Sequence, residues 1–379
     1  MTIQWVRHVV KEAKVHVAQG RTTTMKSPRR RRHKTLFLML LLASLASGCA
    51  KPLLTCPRAV KVPDPPLPQQ HPAPVLFATD RLPESGEKLA FLSDLNPSGN
   101  HLSYGAKCED PTGNQGICDD PSVWLEKDEF LERIGAAKSD VVLFVHGFRY
   151  SFDESLAITL RIVERAQVHA TPVSYSWPSQ DRLAAYADDY DMSEWTIAHL
   201  TDFIQDLVQA LPDGAVLHIV AQSMGNRALL EALARLNLPK QRLGQLIMIA
   251  PDVDTQIFKE LVLHSGPFLR RTVYVSNHDL ALRASGFLHS RAGRAGDARK
   301  QYIVIKEVDT IDASPLKTGV TGHSVYEFSQ LMFDDLGAVL KDESVAGRKL
   351  TACTIKSIQG ANVAQGTSQP CVVYRLPRN

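Results

Sequence analysis

A mostly apolar run, Val216–Val220, leads into Ala221, Gln222, Ser223, Met224 and Gly225, and a helical pattern follows over 224–236. No other feature restricts the chain as much. A short, β-branched run of this kind suits a strand buried on both faces of a sheet. For the serine hydroxyl to project alone, the strand must turn sharply into the helix. The positions two before and two after the serine must then be small, so that the backbones can approach. Ala221 and Gly225 fill those positions. Ser-x-Gly alone is common, but the strand before it and the helix after it make Ser223 a candidate nucleophile.

A serine hydroxyl at its free pKa is a poor nucleophile. It needs a base in hydrogen-bond reach and a carboxylate to orient that base. In the strand-turn-helix setting those partners follow in the order serine, acid, histidine. His323 is the last histidine of the chain and precedes a final helical pattern, where the base belongs. Asp279 follows an apolar run, Thr272–Ser276, by two residues and takes the acid position. Asp252 and Asp254, after the run Gln245–Ala250, are the alternative acids, and a helix N-cap is the other reading of Asp252. His146, Gly147 and Phe148 follow the run Val141–Val145. A His-Gly pair there suits an oxyanion loop, with the N–H groups of Phe148 and Met224 as donors. His146 itself reads as structural, and Trp177, Pro178 and Arg149 as residues that line or support the cleft.

Strand and helix patterns alternate from Val141 onward. Ser151 and Glu154 form a capping-box pattern opening a helix to about residue 169. Residues 193–211 carry Leu200, Phe203, Ile204, Leu207 and Val208 on one helical face. Residues 325–340 read as the last helix. The alternation implies an α/β chain with a mostly parallel sheet covered on both faces. Residues 80–135 read as loop-rich. Residues 284–320 read as one loop, whose Arg291, Arg294 and Arg299, with the preceding Arg283, would give a basic rim or a solvated surface.

In order and spacing, His146-Gly147-Phe148, Tyr175–Pro178, Gln222–Gly225, Ala250–Asp254, Asn277–Asp279 and Gly322-His323 resemble the α/β-hydrolase superfamily. More narrowly they are similar to an uncharacterised bacterial branch, the domain of unknown function 900 hydrolases. Phe77–Arg81 and Leu102–Gly105 are similar to the N-terminal part of that branch. The resemblance spans about residues 75–341 and implies the α/β-hydrolase fold and a Ser-Asp-His triad, without a substrate. It departs at Gln222, outside the triad, where histidine is expected.

The N-terminus reads differently. Lys26–Lys34 is a positive block, Leu36–Ala46 is apolar, and Ala46-Ser47-Gly48 are small residues before Cys49. That apolar stretch is shorter than the ~20 residues a bilayer crossing needs, and the three parts together make an export signal over 1–48. Met25 offers an alternative start. The exit resembles a bacterial lipoprotein signal, which implies lipidation of Cys49. Ala50 in the next position implies the outer membrane of a Gram-negative envelope. Eight prolines between Pro52 and Pro74 make residues 49–74 a semi-rigid linker. The expected order is therefore signal, linker, hydrolase domain over 75–345 and a tail over 346–379.

The first 48 residues hold ten of the 43 Lys and Arg and one of the 40 Asp and Glu, so the remainder carries −6. With no basic stripe there, nucleic-acid binding is not expected. Export permits disulfides, and the preferred pairs are Cys108 with Cys118 and Cys353 with Cys371, leaving Cys56 over. The cysteine spacings fit no zinc pattern, and neither metal nor organic cofactor is expected. These features point to a lipid-anchored serine hydrolase acting on an ester or related small acyl compound. An amidase, peptidase or acyltransferase with the same triad, or a non-catalytic envelope binding protein, are the alternatives.

Overall fold

The structure is a computed structural model. It describes residues 54–56, 73–84, 91–95, 102–109, 122–180, 182–289, 293–299, 301–316, 329–355 and 372–377. The expected signal, Cys49, Cys118, His323 and Cys371 lie outside the described residues.

The N-terminal half holds β1 (Leu54–Thr55), β2 (Ala73–Thr79), β3 (Arg81–Pro83), β4 (Phe91–Leu95), β5 (Ser103–Glu109), β6 (Val123–Leu125), α1 (Lys127–Ala136), β7 (Asp140–Val145), α2 (Phe152–Arg165) and β8 (Ala170–Ser176). There follow α3 (Tyr186–Trp195), α4 (Ile197–Ala210), β9 (Leu217–Gln222), α5 (Gly225–Leu233), β10 (Leu243–Ile249), α6 (Thr255–Leu263) and β11 (Arg270–Val275). The chain closes with α7 (Leu280–Leu288), β12 (Val308–Asp312), α8 (Gln330–Leu340), β13 (Thr351–Ile355) and β14 (Val372–Arg375).

Twelve strands form one sheet in the order β1-β13-β14-β12-β11-β10-β9-β7-β8-β2-β5-β6. From β14 to β2 every neighbouring pair is parallel. Antiparallel strands complete both edges. The runs read as buried strands are buried throughout, at Val141–Val145 in β7 and over all of β9 and β10. Alternate residues of β7 feed opposite cores: Val141, Leu143 and Val145 pack with α4 and α5, while Val142 and Phe144 pack with α2 and α8. This is the covered parallel sheet that the α/β-hydrolase resemblance implies.

Several boundaries differ from the sequence reading. The capping box holds: Ser151 accepts from the Glu154 N–H while Glu154 accepts from the Ser151 N–H. The helix expected over 193–211 is two helices, α3 and α4, meeting at Thr196, whose hydroxyl donates to buried Asp80 at 2.5 Å. Residues 284–320 are not one loop. They contain the end of α7, a packed segment with Arg294, Ala295, Gly296 and Ala298 buried, and β12 inside the sheet.

The ends of the chain also join the sheet. β13 and β14, within the expected tail, lie beside β12, and β1, within the expected linker, lies on β13. The pairing of Cys353 with Cys371 is corrected: Cys353 bonds Cys56, with Cα atoms 4.4 Å apart. Register explains this. Thr55 pairs with Thr354, which brings Cys56 against Cys353, whereas β14 sets Val373 opposite Cys353. Cys108 is also disulfide-bonded.

Candidate active site

The turn after β9 has the backbone that a projecting serine requires. Ser223 has φ +50°, a left-handed conformation that costs a non-glycine residue of order 1–3 kcal/mol. Neighbouring groups hold it there. The Ser223 N–H donates to the Ile249 carbonyl at 2.9 Å, and the Asp252 N–H donates to the Ser223 carbonyl at 3.1 Å. Buried Asn226 donates its side-chain amide to the carbonyls of Ala221, Ser223 and Ile249. α5 then begins at Gly225.

The two glycines are required by contact. A Cβ on Gly225 would lie 2.2 Å from the His146 carbonyl oxygen. One on Gly147 would lie 2.8 Å from the Ser223 Cβ. The His146-Gly147-Phe148 loop and the serine turn are therefore packed backbone to backbone. Phe148 is half-buried and meets Tyr186 edge to face at 5.4 Å; Met224 is fully buried.

His146 is a support. It is fully buried and stacks on Trp177 with ring centres 5.0 Å apart. Its Nε2 lies 3.1 Å from the Trp177 carbonyl, and the Trp177 indole N–H donates to the His146 carbonyl at 2.8 Å. Burial, reinforced by nearby Arg81, pushes its pKa well below the usual imidazole value, so it stays neutral. Arg81 is the hub behind the loop. It donates to Ser176 Oγ at 2.9 Å, the Ser179 carbonyl at 3.1 Å and the Tyr150 carbonyl at 2.7 Å, and burial lowers its pKa to about 10. The Tyr150 hydroxyl donates to Gln222 Oε1 at 2.6 Å. Gln222 thus supplies an acceptor tying the residue before the serine to the loop across from it. Arg149, with φ +67°, is exposed, and its N–H donates to Ser179 Oγ.

On the other side, Asp279 is fully buried at the N-cap of α7, where it accepts from the Leu282 N–H at 2.9 Å. It follows β11, two strands from β9, at the same carboxyl end of the sheet as Ser223. The alternative acids also have partners. Asp254, like Asp279, is a helix N-cap, that of α6. Buried Asp252 accepts from the Tyr186 hydroxyl at 2.8 Å and from Ser285 Oγ at 2.5 Å, with Arg294 Nε 3.1 Å away. Burial and Asp252 push the Tyr186 pKa up, which keeps its hydroxyl a donor. The basic rim or solvated surface is accordingly corrected at two positions: Arg294 is buried against Asp252, and Arg299 is held by Asp297, while Arg291 lies outside the described residues. Tyr150, Tyr186 and Ser285 had no sequence signal, because each acts through a contact distant in the chain; Asn226 ties the local turn to Ile249 of the neighbouring strand. Among the described residues no group of three or more His, Cys, Asp or Glu side chains could hold a metal ion.

Solved structures similar to this chain include carboxyl esterase 2 from the mycorrhizal fungus Tuber melanosporum, at 11% identity over 80% of this chain and 98% of that one, with a TM-score of 0.30. Fungal esterases from Rhizomucor miehei are similar at 13% identity over 84% and 93%, TM-score 0.33. Phospholipase PlaB from Legionella pneumophila is similar at 13% identity over 49% and 42%, TM-score 0.24. No curated protein matches the chain. A family model described as an alpha/beta hydrolase of unknown function, DUF900, matches residues 125–333. That span runs from α1 through the serine turn and Asp279 into α8, so the parallel strands β7 to β12 and the elements around Ser223 are those of the DUF900 alpha/beta hydrolases, the family to which this chain belongs.

Proposed function

We propose that the protein is a serine hydrolase that cleaves a carboxylic ester or related acyl bond through an acyl-enzyme on Ser223. One observation carries the reading: Ser223 is held at φ +50° in a buried strand-to-helix turn with Gly147 packed on its Cβ. Left-handed backbone also occurs at Arg149 and Ala250, but at Ser223 it coincides with the strand-to-helix turn, where it aims a hydroxyl away from its own backbone as a nucleophile requires.

In this reaction Ser223 Oγ attacks the acyl carbon while His323 accepts the hydroxyl proton. The former carbonyl oxygen accepts hydrogen bonds from the Phe148 and Met224 N–H groups, each worth about 2.7–4 kcal/mol of barrier by analogy with a well-studied hydrolase. Collapse expels the alcohol, which takes the proton from His323, and leaves the acyl group on Oγ. Water then gives a proton to His323 and attacks the acyl carbon. The carboxylic acid leaves, and Ser223 recovers its proton. Asp279 orients the imidazole. Water is the only co-reactant. The protein acts from the cell envelope, exported by residues 1–48 and anchored by lipid on Cys49 in the outer membrane.

The test is intact-mass analysis of the detergent-solubilised full chain and its Ser223→Ala variant after treatment with a fluorophosphonate. One adduct on the wild type and none on the variant is expected. An adduct on both places the nucleophile elsewhere. Its absence from folded wild-type protein leaves a non-catalytic binding protein on this fold.

A further inference from the structure

The two ends of the sheet have different roles, and the disulfide determines which end the N-terminal tether leaves from. β1 is antiparallel to β13, β13 is antiparallel to β14, and β14 is parallel to β12. β1 therefore runs in the direction of the parallel strands. Leu54 pairs with Ile355, while Thr351 at the other end of β13 pairs with Arg375, which aligns with Asp312 and Val275. Leu54 thus enters at the amino end of the parallel strands. Ser223 and Asp279 follow the carboxyl ends of β9 and β11, a strand length away, ~20 Å. The Cys56–Cys353 bond fixes β1 in place.

Cys49 and Leu54 are five residues apart. Even fully extended, that tether spans only ~17 Å. The prolines after Cys56 add nothing to its reach, because the disulfide pins the chain before them.

At the same amino end four large apolar side chains stand exposed: Leu263 (58%), Leu269 (56%), Val304 (39%) and Val372 (38%). Leu263 ends α6, Leu269 precedes β11, Val304 precedes the turn that leads into β12, and Val372 opens β14. β11, β12 and β14 are consecutive neighbours, so their amino ends fall within about two strand spacings, ~10 Å. Lys306, the exposed cation beside Val304, is matched by Glu307, so apolar insertion rather than headgroup charge would carry the contact.

Building on the lipid-anchor reading above, we propose that this amino end rests on the bilayer that holds Cys49. The active site then opens away from that membrane and takes acyl substrates arriving from the aqueous side, not lipids of its own bilayer. The competing apolar surface is on α7, where Leu280, Phe287 and Leu288 are exposed. It belongs to the opposite end, where Ser285 of the same helix bonds Asp252.

The test uses the full, lipid-bearing chain in phosphatidylethanolamine–phosphatidylglycerol vesicles. Leu269→Cys and Phe287→Cys variants carry an environment-sensitive fluorophore, with the parent chain labelled in parallel as background. Blue-shifted emission quenched by a lipid-borne spin label at 269, with solvent-like emission at 287, is expected. The reverse pattern, or equal quenching at both, overturns the proposal. So does shielding at 269 that the lipid quencher does not reach, which would mean a protein partner. Intact mass showing no lipid on Cys49 removes the tether and the proposal with it. The hydrolase reading stands or falls separately, on fluorophosphonate labelling of Ser223.

Discussion

The proposed nucleophile side and the proposed acid side of the site are held in place by different physics. Around Ser223 the constraints are backbone contacts among residues close in sequence or on adjacent strands: the left-handed turn, and Gly147 and Gly225 packed on it. Around Asp279 they come from segments far apart in the chain. The Ser276 N–H donates to the Gly296 carbonyl, the Gly296 N–H to the Pro251 carbonyl, and Tyr186, Ser285 and Arg294 converge on Asp252. Changes on the first side should act through steric fit, and on the second through loss of buried polar partners.

The largest expected effect tests whether the two sides form one machine. Ser223→Ala should lower kcat/KM for an ester substrate by about 10⁶-fold, and Asp279→Asn by about 10⁴-fold, in keeping with other triads. Steady-state kinetics on both variants decides this. An Asp279→Asn enzyme with near-normal rates would move the acid to another carboxylate.

Arg294→Met comes next. It strips the cation from buried Asp252, and breaking one side of a buried pair costs about 3–5 kcal/mol. Chemical denaturation should show that loss, with fluorophosphonate still reacting at Ser223 below the transition. Loss of labelling without loss of stability would mean that Asp252 takes part in the chemistry. Gly225→Ala should cost about 3 kcal/mol, because the added methyl meets the His146 carbonyl rather than a yielding side chain. The same denaturation experiment reads it.

The smallest effect is on pH. Folding lowers the His146 pKa, so at mildly acid pH the unfolded chain binds a proton that the folded chain refuses. This contribution is complete above the ordinary imidazole value of about 6.5 and is lost as pH falls below it, by at most about 1.4 kcal/mol per pH unit. Stability measured between pH 5 and 8 in the wild type and in His146→Gln should show a shallower acid-side fall in the variant.

The serine side was readable because its rules are short-range. A buried run, a small residue on each side of the serine and a His-Gly pair after the neighbouring strand are visible in the string of residues. The capping box at Ser151 is legible for the same reason. The acid side was only partly readable. Asp279 stands where a strand-following acid should, but nothing near Arg294 in the sequence announces that it is buried against Asp252, 42 positions away. β12 is not legible because Val308-Asp309-Thr310-Ile311-Asp312 has neither a continuous apolar run nor a strict alternation, and its two acids look like a polar loop. Asp312 is buried there, and Arg375 of the distant β14 donates to it at 2.7 Å. Pairing Cys353 with Cys371 by nearness in sequence failed because a sheet edge can bring together residues 297 positions apart.

That bond also shapes how the protein is made. During synthesis Cys56, Cys108 and Cys118 exist long before Cys353. An oxidant working in order of appearance therefore joins the wrong partners first, and the native bond has to be reached by thiol–disulfide exchange, a process of seconds to hours. Maturation of this hydrolase should depend on an isomerase as well as on an oxidant. Refolding of the reduced chain should accelerate when a disulfide isomerase is added, and Cys56→Ser together with Cys353→Ser should remove that dependence.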